Sequence, residues 1–571
     1  MKTVSQGSTT SDKVIGSNPA EQEINTPQFT RRETIFTMVA VLLVMLLASL
    51  DQTIVGTAMP RIITDLQGFD RYTWVTTAYL LTSTVMIPIY GKLSDLFGRK
   101  PIFLIGVVIF LLGSAASGAS QTMNQLIIFR AFQGIGAAAL LPIAIAVIGD
   151  LFTPRERGKW QGLTGAVFGL SSILGPTAGG YITDHATWRW VFYVNLPIGI
   201  IALLVLIFLM PTLRSKNTGK VRIDYLGALL LIAGTVPLML GFTLAGSTYD
   251  WLSWQIISLF GGAIVFVALF VIYEARLERR NEQPIIDPSL FKNRIFSVSV
   301  IITMITSMGM FGSILFLPLY AQGVLGISAT NSGLLLTPLM MGLIFSSVIS
   351  GLLVSRFGKY KWIAFVGMAI TIGGSLLLQR LGVNSTNTDM IIAMIVLGLG
   401  LGFSMSLYTV IVQNALPTKI GQATSGLTFF RSIGSTVAVA AMGSLLTSAY
   451  VPGFHNAIPA SVKAVVPAKF LSVFDNPNVL LSADTQKQLL AGFSSFGTRG
   501  VGLYNQLLEA VKIGLTSGIH NVFVLSTILM VVGFVAIFFL QEIPLRGKNK
   551  AASTQAAEDA EEGTVSVAMM H

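Results

Sequence analysis

The chain has 571 residues, 53% of them hydrophobic and only 11% charged, with a mean hydropathy of +0.72. Soluble domains carry about 25% charged residues, so a single soluble core is excluded. The absence of cysteine excludes disulfides, thiolate metal sites and cysteine nucleophiles. The net charge of +11 and pI near 9.7 suggest nucleic acid until the charges are located along the chain.

In chain order, a polar segment (1–32) comes first; it lacks an apolar signal core, and no cleaved leader is expected. Apolar runs long enough to cross a hydrocarbon layer of about 30 Å then recur. Six of them (34–58, 72–90, 101–119, 124–148, 158–182 and 188–210) fall within an N-terminal bundle, 33–212. Two more (224–245 and 252–274) lie between charged linkers in 213–293. A C-terminal bundle, 294–545, holds the rest: 294–320, 328–354, 361–380, 388–412, 420–446 and 515–541. The predicted fold class is an all-α polytopic membrane protein of fourteen helices. Residues 447–514 form the one long segment between spans, with two helix-like stretches, the second running into the last span. The tail 546–571 is small, acidic and of disordered composition.

The loops after the even-numbered spans carry 19 Lys and Arg, and the opposite short loops carry four: Arg61, Arg71, Arg189 and Arg380. By the positive-inside rule this places both termini in the cytoplasm and 447–514 outside, in a cell membrane. The basic balance is therefore a topology signal, and no nucleic-acid partner is expected.

Three charges stand firmly inside spans: Asp51, Arg130 and Arg431. Each opposes insertion by roughly 2.5–3.5 kcal/mol at mid-membrane, so interior, paired positions are expected. At 1.5 Å per residue, Asp51 lies roughly 27 Å and Arg130 roughly 30 Å from the cytoplasmic end, but Arg431 only roughly 18 Å. Depth pairs Asp51 with Arg130 and leaves Arg431 either a second partner or a packing charge.

The loop "GKLSDLFGRK" (91–100) has a partial copy in "GLLVSRFGKY" (351–360), as expected where two bundles repeat about an axis normal to the membrane. Gly91 and Gly98 permit a tight turn and close helix approach. Asp95 is placed to accept from a neighbouring helix N-terminus or a basic residue, Arg99 among them, as a latch. The copy has Ser355 where Asp95 stands, so a charged latch is expected in the first half alone. In "GLSSILGPTAGGYI" (169–182), Gly175, Pro176, Gly179 and Gly180 give a thin, kinked face.

Taken together, "LDQTIVGTAMP", "GKLSDLFGRK", "RAFQGIGAAALLP", "GPTAGG" and "WRWVFYVNLPIG", in that order, resemble the signatures of the fourteen-helix drug:proton antiporters of the major facilitator superfamily. The resemblance covers nearly all of 33–545. Leu96 stands where that family usually has a basic residue, and Ser171 where it often has glycine. The resemblance implies two six-helix bundles plus two extra helices. Asp51 would be the protonation site and Arg130 its modulator; Asp95 and Arg99 would belong to the gate, and Gly175 and Pro176 to the antiporter helix.

The leading expectation is proton-driven export of small amphipathic compounds, drugs or antibiotics, by alternating access. The implied partners are a small-molecule substrate, protons and the bilayer, with the monomer as functional unit and no cofactor or metal. Tyr79, Gln133, Phe316, Tyr320 and Gln413 are candidate cavity residues. An exporter of a lipid-like or other endogenous metabolite, with 447–514 handing cargo outward, is the alternative. A lipid-modifying enzyme is disfavoured, because the four histidines (185, 455, 520 and 571) are scattered and no HExxH or paired intramembrane carboxylates occur. An ATP-driven pump lacks its phosphate loop.

Overall fold

The computed structural model describes residues 30–67, 71–211, 223–246, 248–280, 282–327, 336–475, 479 and 483–545. The two expected tails, to residue 29 and from residue 546, lie outside them.

In a bilayer, helices satisfy every backbone polar group internally, and the described residues contain fourteen long ones. The first six are α1 (Arg31–Leu66), α2 (Tyr72–Phe97), α3 (Arg99–Gly118), α4 (Met123–Leu151), α5 (Pro154–His185) and α6 (Trp190–Leu209). Next come α7 (Tyr225–Leu244) and α8 (Trp254–Arg279). The last six are α9 (Arg294–Gly323), α10 (Thr337–Phe357), α11 (Lys361–Gln379), α12 (Asn387–Ala415), α13 (Ile420–Ala457) and α14 (Gly497–Phe538). Twelve are long and apolar enough to cross a membrane by length and composition; α2 and α5 are the two that fall short. Both pack between two other helices, α2 on α4 and α13, and α5 on α1 and α10.

Local sequence sets the helix starts. Thr30 and Glu33 form a capping box on α1, as do Thr153 and Glu156 on α5, where Pro154 takes the first turn. Ser253 caps α8 and Asn293 caps α9 through their side chains. A single residue, Gly98, joins α2 to α3; its φ of 93° needs glycine.

The N-terminal six build their own apolar core, and the C-terminal six build another. Within the first, α4 takes α2 on one side and α3 on the other. Gly136 makes the second contact: a Cβ there would lie 2.3 Å from the backbone nitrogen of Phe110. Gly136→Ala is expected to push α3 off α4 and destabilise the protein by about 1–3 kcal/mol. A lower unfolding temperature in detergent checks this; an unchanged one contradicts it. The extra helices α7 and α8 pair with each other, and α7 lies on α2 and α13, at the seam between the halves.

The helices α13 and α14, with 38 and 42 residues, run roughly 57 and 63 Å at 1.5 Å per residue. Twice the hydrocarbon thickness, they project beyond it, so much of 447–514 continues these two helices. The helix Ala483–Ser494 packs on the projecting part of α14. Phe454 and Phe474 are fully buried there, Tyr450 donates to the Phe474 carbonyl at 2.5 Å, and His455 pairs with Asp475 at 2.8 Å.

Candidate functional site: a buried carboxylate and two interhelix latches

Asp51 lies on α1, fully buried. The Arg130 guanidinium on α4 donates through Nη1 to its Oδ2 at 2.8 Å. Gln133, one turn further along α4, donates to Oδ1 at 2.9 Å and accepts from Arg130 Nη1 at 2.9 Å. Asn195 on α6 also donates to Asp51 Oδ1, at 2.9 Å, and to Ser114 Oγ on α3 at 3.1 Å. The Tyr79 ring on α2 stacks against the Arg130 guanidinium at 4.0 Å. Five helices of one half thus converge on one carboxylate, and the charges are paired as burial requires. The two depths read from the sequence coincide in a direct bond.

Two members escaped the sequence reading. Asn195 sits within the family-like "WRWVFYVNLPIG" stretch, and the signal was an amide with no charge near it in an apolar span. Ser114 gave none, since lone serines are common in membrane helices. Among the candidate cavity residues, Tyr79 and Gln133 belong to this cluster. Gln413 instead bridges the halves, donating to the Ile145 carbonyl on α4 at 3.2 Å and to Thr424 at 3.0 Å. Phe316 and Tyr320 are buried in the C-terminal core, where Tyr320 donates to the Gly382 carbonyl at 2.8 Å. Arg431 does not reach Asp51: among the described residues its guanidinium makes no ion pair, and its carbonyl accepts from Ser307 at 3.0 Å.

The antiporter-like stretch is a contact surface between α5 and α1. A Cβ at Gly175 would lie 2.0 Å from Thr53 Oγ1, and one at Gly179 2.1 Å from Thr57 Oγ1. Thr53 also donates to the Ser171 carbonyl at 3.1 Å, so the serine at that position serves through its backbone. Pro176 lies within the helix between them. Gly180 faces open space.

At the end of the molecule that carries the Lys/Arg-rich loops, here the basic end, two latches join the halves. In the first, Asp95 Oδ2 accepts from the backbone nitrogen of Gln422 at 2.9 Å, in the first turn of α13, where a carboxylate is favoured by the helix dipole. Asp95 Oδ1 pairs with Arg99 at 2.6 Å, and Arg99 pairs with Asp150 on α4 at 2.7 Å. Gly91 lets α13 close in: a Cβ there would lie 2.0 Å from Ser425 Oγ. In the second latch, Arg155 at the start of α5 donates to the last carbonyls of α10, those of Ser355 at 2.6 Å and Arg356 at 2.8 Å. Beneath it Gly351 meets the Gly158 backbone. The second latch is charged too, but the charge is Arg155 from the other half, invisible in the loop that lacks an acid.

Asp95→Asn is expected to slow transport at least tenfold, because a neutral amide weakens both the Arg99 pair and the helix cap. Ser355→Ala is expected to leave transport within twofold, since only its backbone carbonyl is used. Initial rates in vesicles at equal expression check this, and equal losses contradict it.

The pattern of the Major Facilitator Superfamily matches residues 41–225 and 219–439. A multidrug transporter protein of Bacillus subtilis, MdtP, is 40% identical over 91% of this chain and 95% of its own length. Multidrug resistance protein 3 of the same species is 37% identical over 94% of this chain and all of its own. Among solved structures, the proton:xylose symporter XylE superposes with a TM-score of 0.54 over 90% of this chain and 97% of its own, at 13% identity. The human organic anion transporter MFSD10 gives 0.52 over 88% and 99%, also at 13%.

Proposed function

The chain belongs to the Major Facilitator Superfamily and is a multi-pass membrane transporter of the all-α fold of that superfamily. We propose that it exports small amphipathic compounds, drugs or antibiotics among them, across the cell membrane in exchange for protons. The observation that carries this reading is the Asp51–Arg130–Gln133–Asn195 cluster, a fully buried carboxylate held by neutral donors and one cation. Desolvation favours the neutral form of such a group and a nearby cation the ionised one. In this reading Asp51 carries the exchanged proton and Arg130 modulates it. The drug-transporter names of relatives near 40% identity support the substrate class.

In this reading the two six-helix halves, 33–212 and 294–545, rock against each other about the latches, and residues 213–293 form an accessory pair at the seam. The basic end faces the cytoplasm, as do both tails, and the monomer is the working unit. The latched state described above is closed to the cytoplasm. Purified protein in proteoliposomes, driven by an imposed pH gradient, tests the whole: cationic dyes, antibiotics and lipids are compared side by side. Gradient-dependent movement of dye or antibiotic is expected. Movement of lipid alone, or movement indifferent to the gradient, overturns the reading.

Orientation has its own test, made simple by the lack of native cysteine. Ser495, exposed beside the projecting part of α14, is expected as Ser495→Cys to react with an impermeant maleimide on intact cells. Reaction only after permeabilisation would invert the topology.

A further inference from the structure

At the basic end, beside the first latch, lies a second group of buried charges outside the Asp51 cluster. Glu274, near the end of α8, is 1% exposed. Its neighbour is Asp224, which caps α7 by accepting from the Gly227 nitrogen at 2.7 Å. A Cβ on Gly227 would lie 2.1 Å from Asp224 Oδ2 and 2.7 Å from Glu274 Oε1, so the two carboxyl groups face each other across one glycine. Glu274 Oε1 accepts from the Ile285 nitrogen at 3.3 Å and the Tyr273 hydroxyl interacts with the Asp224 carboxyl, while Glu274 Oε2 and Asp224 Oδ2 are buried with no donor within hydrogen-bond distance among the described residues.

Two adjacent carboxylates away from water repel, and a single shared proton removes the repulsion and gives an oxygen its donor. The cation within reach is Lys92 on α2, itself 9% exposed and without an ion pair among the described residues. Lys92 is shared with Asp95 of the latch and with Asp287. Asp287 is taken by Lys419, the residue before α13, and by the Ser289 nitrogen at 2.9 Å. Burial works to raise the Asp287 carboxyl, but those bonds outweigh it and hold it below the ordinary carboxylate range, so it stays ionised near neutrality. Tyr273 and Glu282 complete the charged and titratable surroundings. One cation thus stands against more than one acid around it.

We propose that Asp224 and Glu274 form a second proton-binding site, loaded when the basic end closes and emptied when it opens. The site borders the latch elements: α2 through Lys92, while α7, which carries Asp224 at its start, lies on both α2 and α13. Withdrawing α13 from α2 breaks Asp95–Gln422, opens the seam on which α7 lies and admits water to the carboxyls. Each can then ionise separately. Closing therefore takes up one proton, so the closed state is favoured at low pH and lost as pH rises. The extra helix pair is the carrier of this site, since α7 and α8 each supply one carboxyl. The inference does not depend on the role of Asp51.

The test is carried out in the Asp51→Asn background, where the membrane carboxylate cannot titrate. Spin labels at Phe97→Cys and Thr418→Cys, exposed positions on α2 and just before α13, report the distance between the halves from pH 6 to pH 9. The closed-to-open ratio is expected to fall with rising pH, by up to tenfold per unit for one linked proton. Glu274→Gln, a neutral side chain of the same shape, is expected to flatten that dependence. Asp224→Asn, which keeps the oxygen that caps α7, is expected to do the same and serves if the first variant folds poorly. A flat profile in the parent, or the same slope in a folded Glu274→Gln or Asp224→Asn protein, overturns the proposal.

Discussion

Exchange of Asp51 for asparagine is expected to abolish proton-driven export, with accumulation against a substrate gradient falling at least a hundredfold. The side chain keeps its shape and one oxygen that can accept from Gln133 and Asn195. Its other end becomes an amide facing the Arg130 guanidinium, a donor against a donor, which costs about 1–3 kcal/mol where neither group reaches water. Insertion and folding are expected to survive, since the apolar core of that half is untouched. The essential loss is titration: an amide neither takes up nor releases a proton, so substrate movement is no longer tied to the gradient. Export driven by a pH jump in vesicles, with protein quantified on the same samples, decides the matter. Wild-type accumulation by the Asp51→Asn protein would reduce the carboxylate to a structural charge.

Removal of the partner acts differently. Arg130→Ala leaves a fully buried carboxylate with neutral donors only, and breaking a buried pair from one side costs about 3–5 kcal/mol. The expected result is a lowered unfolding temperature together with loss of transport. A second substitution, Asp51→Asn in the Arg130→Ala protein, is expected to recover much of the stability and none of the transport. A double variant no more stable than Arg130→Ala would show that the arginine contributes through its stack on Tyr79 instead of through charge. Arg130→Lys keeps the charge but loses the planar face that stacks on Tyr79, and an intermediate rate is expected.

Much of the site was legible in the chain because the membrane leaves so few reasons for a charge. Asp51 and Arg130 stand out against long apolar runs, and counting residues from the basic loops was enough to bring them to one depth. Asp95 was legible as a cap for the same economy of means: an acid in a tight glycine turn, next to where another helix must begin. Arg431 marks where that counting stops. Its depth was known, but the side of α13 it occupies was not, and depth without azimuth does not make a pair. The positions of Phe316, Tyr320 and Gln413, two in a core and one between the halves, were hidden for a related reason. An aromatic or amide in a span reads alike whether it lines a cavity, fills a core or ties two halves together. Arg155 was missed because its partners are backbone carbonyls of a helix 200 residues away, and a carbonyl leaves no mark in a sequence.

The sequence by itself determined the helical class, the number of long helices, the alternation of Lys- and Arg-rich loops with poor ones, and the need to bury three charges. These follow from local quantities: run length against bilayer thickness, capping residues, and the count of Lys and Arg between spans. Only the tertiary structure decided which helices stand side by side. It brought Asn195 and Ser114 to Asp51, set Arg155 on α10, and put the carboxyls of α7 and α8 against each other beneath the latch. Those are contacts between residues from 50 to 200 positions apart. They depend on which glycine faces admit a neighbour, and such a face takes its meaning from the helix that fills it.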